Sequence, residues 1–174
     1  MLWNAKNGSV PLDGTVMRYV SFGRGRKNLI LLPGLSDGLA TVQGKALLLA
    51  PPYRMFFDRY TVYMFSRKDV MPEGYSIRDM AEDQTEAMKK LGIGKASVMG
   101  VSQGGMIAQV LAADHPELID RLILAVTAPR TDSLIEENVR KWIGFASRGD
   151  HKALMTDTAE KSYSERYLKQ YRKL

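Results

Sequence analysis

The pentapeptide Gly100-Val101-Ser102-Gln103-Gly104 follows an apolar run ending in Val98-Met99 and precedes a stretch of helical periodicity that starts near Met106. A serine in that setting sits on a sharp strand-to-helix turn, its hydroxyl raised above the sheet edge and its backbone strained. Only residues without a Cβ let a strand and a helix approach that closely, so a side chain at Gly100 or Gly104 would collide where the turn folds back. The pentapeptide therefore predicts a strand, a turn and a helix in immediate succession.

The same alternation runs through the rest of the chain. Ser9-Val10-Pro11-Leu12, the turn signal Asp13-Gly14 and Thr15-Val16-Met17-Arg18-Tyr19-Val20 read as a hairpin. Asn28-Leu29-Ile30-Leu31-Leu32 and Thr61-Val62-Tyr63-Met64-Phe65 are nearly continuous apolar runs, the pattern of strands covered on both faces. Between them, Gly44-Lys45-Ala46-Leu47-Leu48-Leu49-Ala50 before Pro51-Pro52 reads as helical pieces. Ser76-Ile77-Arg78-Asp79 opens a helix with a serine and an acid at capping-box spacing, and Ile77, Met80, Ala81, Ala87, Met88 and Leu91 keep its period until Gly92. Ala96-Ser97-Val98-Met99 is the next strand. Met106, Ile107, Val110 and Leu111 form a helical stripe ending near Asp114-His115-Pro116, and Leu122-Ile123-Leu124-Ala125-Val126 reads as a further buried strand. The fold class is α/β: a mostly parallel sheet of about six strands with helices on both faces and right-handed crossovers.

At 174 residues the chain can bury one sizeable core. Residues 1–130 are expected to form it. Residues 131–174 read as helices without a strand, carrying Ile135, Val139, Trp142, Ile143 and Phe145, and form a partial cap or lid or else pack on the sheet face. The absence of cysteine excludes disulfides and thiolate zinc sites, and the scattered carboxylates with two distant histidines lack metal-ligand spacing. No cofactor is expected. No basic segment followed by an apolar run opens the chain and no run of eighteen apolar residues occurs, which predicts a cytoplasmic protein that does not enter a membrane. The net charge of +6 comes largely from the tail, where Lys161, Arg166, Lys169, Arg172 and Lys173 accompany Tyr163, Tyr167, Leu168 and Tyr171 on an amphipathic pattern. That is a solvated basic face, and no nucleic-acid module is present. Gly23-Arg24-Gly25-Arg26 joins two strands and reads as a turn, not a phosphate loop.

Taken together these motifs resemble the α/β-hydrolase superfamily, especially its small capped esterase, lactonase and thioesterase-like members. The resemblance covers residues 14–130. Leu29-Ile30-Leu31-Leu32-Pro33-Gly34-Leu35 looks like the strand and loop carrying the oxyanion hole, with Pro33 where many relatives have histidine. Asp58-Arg59-Tyr60-Thr61-Val62-Tyr63, Tyr75-Ser76-Ile77-Arg78-Asp79-Met80-Ala81-Glu82-Asp83 and His115-Pro116-Glu117-Leu118-Ile119-Asp120-Arg121-Leu122-Ile123-Leu124 resemble the elements around the elbow.

The resemblance implies that Ser102 is the nucleophile attacking a small ester, thioester or lactone carbonyl. It further implies that the backbone N–H groups of Leu35 and Gln103 form the oxyanion hole. The family's order of serine, acid and histidine then finds no complete set. His115 reads as a surface or capping residue at the end of the elbow helix, His151 lies in a polar turn, and Asp132 reads as a helix cap. The expectation is the N-terminal two-thirds of a longer hydrolase, with acid and histidine outside this chain and the chain alone nearly inactive. Ending the sheet at residues 122–126 would leave a bare parallel edge, to be covered by a C-terminal complement or by a homodimer partner. The rival readings are a non-catalytic binder of a small apolar ligand and a self-associating structural protein.

Overall fold

Asp13 and Gly14 both take left-handed φ values, 43° and 76°, and fold β1 (Lys6–Leu12) back on β2 (Thr15–Phe22) with Leu12 opposite Thr15. Two consecutive positive-φ residues are what a tight two-residue hairpin turn requires. The computed structural model describes residues 2–35 and 41–171. Among these, β3 (Lys27–Leu32), β4 (Tyr60–Lys68), β5 (Ala96–Val101) and β6 (Ile119–Ala125) join the hairpin in one sheet of order β1-β2-β4-β3-β5-β6. The hairpin pairs antiparallel to β4, and β4, β3, β5 and β6 pair in parallel.

The continuous apolar runs are covered on both faces, as their composition predicts. Ile30 and Leu32 turn to one side with Phe65, Val98 and Met88, while Leu29 and Leu31 turn to the other with Val62, Met64 and Phe22. Helix α2 (Ile77–Lys90) and helix α3 (Gln103–Asp114) contribute Met88, Ile107 and Leu111 to the first layer. The short α1 (Ala46–Leu49) and the 3-10 turn Pro51–Phe56 lie on the second. Ser76 and Asp79 form the reciprocal capping box that starts α2, and Gly92 at φ 65° follows its end.

Strand β4 runs three residues past its apolar stretch, into Ser66, Arg67 and Lys68, all buried. Its ladder with β2 passes from Tyr19 opposite Phe65 to Met17 opposite Lys68, so Ser66 and Arg67 together face Arg18 alone. This is a β-bulge, which bends a strand and re-aims its side chains. Beyond it, Lys68 Nζ meets Asp83 Oδ1 of α2 at 3.2 Å, both side chains almost fully buried. Tyr75 donates its hydroxyl to the other Asp83 oxygen at 2.8 Å.

Strand β6 pairs only with β5, and its outer edge has no ladder partner among the described residues. The strand expected at residues 122–126 is present as Ile119–Ala125, but the expectation that it is buried is overturned. Leu122, Ile123 and Leu124 are 38%, 44% and 43% exposed, and Val126 is 85% exposed. The last strand of a sheet has a neighbour on one side only, so apolar composition does not bury it.

The chain divides into two compact units, Met1–Pro129 and Arg130–Leu174. The second contains α4 (Ser133–Ser147), α5 (His151–Ser162) and α6 (Glu165–Tyr171). Asp157 of α5 ties it together, accepting from Trp142 Nε1 at 2.8 Å and Lys161 at 2.7 Å while also bonding Lys141. The basic tail is not one helix: Tyr163 and Ser164 break it, and the rings of Tyr163 and Tyr167 stack at 4.8 Å across the break. Arg172 and Lys173 lie outside the described residues.

Candidate active site

Ser102 stands between β5 and α3 at φ 53°, ψ −122°, a conformation that L-residues adopt only when their surroundings enforce it. The enforcement is visible. Its N–H donates to the Ala125 carbonyl of β6 at 3.0 Å, and its own carbonyl accepts from Gly105 N–H at 2.9 Å and from Thr127 Oγ1 at 2.7 Å. The residue is exposed, and its hydroxyl makes no capping bond to the helix it precedes.

The glycines act as the sequence suggests, by different contacts. A Cβ on Gly100 would lie 2.5 Å from the Gly104 carbonyl oxygen and 2.8 Å from Ala108 Cβ, so strand and helix touch there. A Cβ on Gly104 would lie 2.0 Å from the Leu32 oxygen, so its collision is with the end of β3 and not with the turn itself. Gly105, which the motif does not include, packs against Thr127 at the same closeness. The helix begins at Gln103, three residues before its apolar stripe, because Gly104 and Gly105 carry no side chain for periodicity to register.

The segment 33–35 comes directly to the serine. A Cβ on Gly34 would stand 3.3 Å from Ser102 Cβ and 3.8 Å from its Oγ. Leu35 follows, exposed, and Gln103 is the first residue of α3. Leu35, Ser102 and Gln103 thus fall within one neighbourhood at the C-terminal ends of the parallel strands, where open α/β sheets bind ligands.

The histidines and Asp132 each have a place in their own element. His115 caps the C-terminus of α3, a helix of twelve residues and so about 18 Å from Ser102 along its axis. Its Nε2 lies 2.9 Å from Glu82. Asp132 caps α4, accepting from Ile135 N–H at 2.8 Å, and His151 is the exposed first residue of α5. Residues 23–26 link β2 to β3 as an irregular segment, Gly23 and Arg24 donating their N–H groups to the Trp3 and Phe57 carbonyls at 2.9 and 3.2 Å, and not as a hydrogen-bonded turn.

Three contributors escaped the sequence. Thr127 holds the Ser102 carbonyl, and Gln109 Nε2 bridges the carbonyls of Gly105 and Ala128 at 3.1 and 3.2 Å. Arg67, buried at the bulge, donates through Nη2 to the Pro33 carbonyl and to Gln103 Oε1, both at 3.1 Å. Burial pushes its pKa below the usual arginine value. Among the described residues no group of three or more metal-ligating side chains is gathered, and no helix is long and apolar enough to cross a membrane.

Comparison with known proteins places this geometry. The family model described as the alpha/beta hydrolase fold matches residues 28–164. A Burkholderia protein named fluoroacetate dehalogenase is 37% identical over 121 residues, 68% of this chain and 39% of its own length. A Caulobacter segnis protein bearing the provisional name carbamate hydrolase RutD is 32% identical over 109 residues, 59% of this chain and 40% of its own. The solved structure of MGS-M2, an alpha/beta hydrolase enzyme from a Medee basin deep-sea metagenome library, superposes with a TM-score of 0.82 at 18% identity, covering 95% of this chain and 61% of that one. The chain therefore spans about 40% of the length of these curated relatives.

Proposed function

Because this chain belongs to the α/β-hydrolase family, matched over residues 28–164, we propose that Ser102 is the nucleophile of a hydrolase that cleaves a small carboxylic ester, thioester or lactone through an acyl-enzyme. One observation carries the reading: an exposed serine, free of capping duty, is held at φ 53° and ψ −122° with the Gly34 backbone against it. Strain of that kind adds nothing to packing, and its use is to present Oγ.

In the first step Ser102 Oγ bonds to the substrate carbonyl carbon and the carbonyl electron pair moves onto oxygen. The N–H groups of Gln103 and Leu35 receive that oxyanion. Gln103 is the first residue of α3, so its N–H has no intrahelical acceptor, and the positive end of the helix adds to the field. One such donor is worth about 2.7–4 kcal/mol in the transition state. Collapse of the intermediate breaks the bond to the alkoxy or thio group, which takes up the proton that the base removed from Ser102. That group departs as alcohol or thiol, or for a lactone stays on the acyl chain as a hydroxyl, and water then releases the acid from Ser102.

A serine gives up its proton only to a base, here a histidine oriented by a carboxylate. Both are assigned to sequence outside this chain. His115 is engaged with Glu82 at the far end of α3, and His151 belongs to the separate helical unit. The chain alone is then nearly inactive. Labelling of the full gene product by a fluorophosphonate, lost on Ser102→Ala, is the expected result. A product that neither labels nor hydrolyses short-chain nitrophenyl esters overturns the reading.

A second reading, a self-associating protein without catalysis, draws on β6. Its bare edge and exposed Leu122, Ile123 and Leu124 suit pairing with a second copy.

A further inference from the structure

We propose that Arg67 is a positioning residue that locks the two halves of the oxyanion hole to each other, an inference that rests on the assignment of Leu35 and Gln103 as its donors. The two halves come from distant parts of the chain, residues 33–35 after β3 and residues 102–104 before α3. Arg67 Nη2 bonds both at once, the Pro33 carbonyl and the Gln103 side chain, each at 3.1 Å.

The bond to Pro33 fixes the plane of the peptide between Pro33 and Gly34, and therefore the direction in which the next peptide can aim the Leu35 N–H. The bond to Gln103 holds the side chain of the residue whose N–H is the other donor. The two segments are already in contact, since a Cβ on Gly104 would stand 2.6 Å from the Pro33 oxygen. Arg67 supplies what contact alone does not, a directional bond on each side.

Two independent features show that Arg67 is built for this place. The bulge at Ser66 and Arg67 sets two residues against Arg18 alone, so the side chain leaves the regular alternation of β4. The guanidinium is also buried. No carboxylate pairs with it among the described residues, and Nε and Nη1 have no protein acceptor there. A fold gains little stability from burying a cation. Bonded to both segments of the oxyanion hole, a positive charge favours the transition state over the neutral ground state.

The test is made in the full gene product with Arg67→Met, Arg67→Lys and Gln103→Leu, reading steady-state kinetics, fluorophosphonate labelling and amide hydrogen exchange. Arg67→Met is expected to lower kcat and the labelling rate together by about a hundredfold with KM within twofold. Exchange should quicken at Gly34, Leu35, Gln103 and Gly104 in concert, with residues 62–65 of β4 still protected. Arg67→Lys, which keeps the charge but not the planar fork, should recover part of the rate. Should Arg67→Met lose protection throughout β4, Gln103→Leu decides, because it cuts one bond and leaves the cation in place. Exchange and kcat both unchanged in that variant would overturn the proposal. If the wild-type product shows no hydrolase activity while exchange in the two segments still rises together, the clamp stands and the assignment of Ser102 falls.

Discussion

Gly34 and Ser102 are so close that a Cβ on the glycine would stand 3.3 Å from the serine Cβ. A methyl group there must push one of the two segments aside by a few tenths of an ångström. Gly34→Ala is expected to slow fluorophosphonate labelling of the full gene product by about ten- to a hundredfold, with the thermal midpoint little changed. A variant that labels at the wild-type rate would show that the segment 33–35 does not serve the serine.

The strained backbone at Ser102 yields a second outcome. Glycine adopts φ 53° and ψ −122° without a Cβ penalty, so Ser102→Gly should gain about 1 kcal/mol of stability whereas Ser102→Ala should not. Chemical denaturation of the three proteins measures the difference. Equal stability of the glycine and alanine variants would mean that the turn is relaxed.

Removing Lys68 strands a charge. Asp83 is buried, and burial already pushes its pKa up against the bonds from Tyr75 and Lys68. Lys68→Met should lower stability by about 3–5 kcal/mol, and the double variant Lys68→Met/Asp83→Leu should recover much of it. A double-mutant cycle checks the coupling.

In the helical unit, the ammonium groups of Lys141 and then Lys161 hold the Asp157 carboxyl far below its ordinary value of 3.8. A carboxylate with a depressed folded pKa gives stability that is present above its unfolded pKa and is lost as pH falls through the folded one. The contact between α4 and α5 should therefore survive acidification through pH 3.8, where ordinary aspartates have become half protonated. Trp142 emission in a Trp3→Phe background reports it, because Trp142 bonds Asp157 directly. Loss of that signal above pH 3.8 would contradict the tie, and Asp157→Asn should weaken the contact already at neutral pH.

The edge of β6 gives the last outcome. Sedimentation of the 174-residue chain should show dimers or larger species, and Ile123→Lys with Leu124→Lys should reduce them. A stable monomer that β6 lysines leave unchanged would remove the second reading of function.

Much of this architecture can be read from short-range patterns. Asp13-Gly14 specifies its hairpin, Ser76 and Asp79 their capping box, and the apolar runs around Leu31 and Val62 their double coverage, because each is set by local stereochemistry or by a repeat of fixed period. What hydropathy misreads are the positions where tertiary placement overrides composition. Ser66, Arg67 and Lys68 are polar and buried, since each finds a distant acceptor or donor in Pro33, Gln103, Asp83 or the Val42 N–H. Leu122, Ile123 and Leu124 are apolar and exposed, since no strand lies beyond β6 among the described residues. Ser102 and its glycines were legible as a motif, whereas Thr127, Gln109 and Arg67, which hold that motif in place, carry no signature within any window of sequence.

The extra residue in β4 makes that strand intolerant of a single deletion. Excising Ser66 would restore a regular ladder with β2, Arg67 alone opposite Arg18 and Lys68 still opposite Met17, and so remove the kink that re-aims the Arg67 side chain. The guanidinium would then lose the direction that carries it to the Pro33 carbonyl and the Gln103 side chain. Length at this point in the chain is as strictly constrained as residue identity.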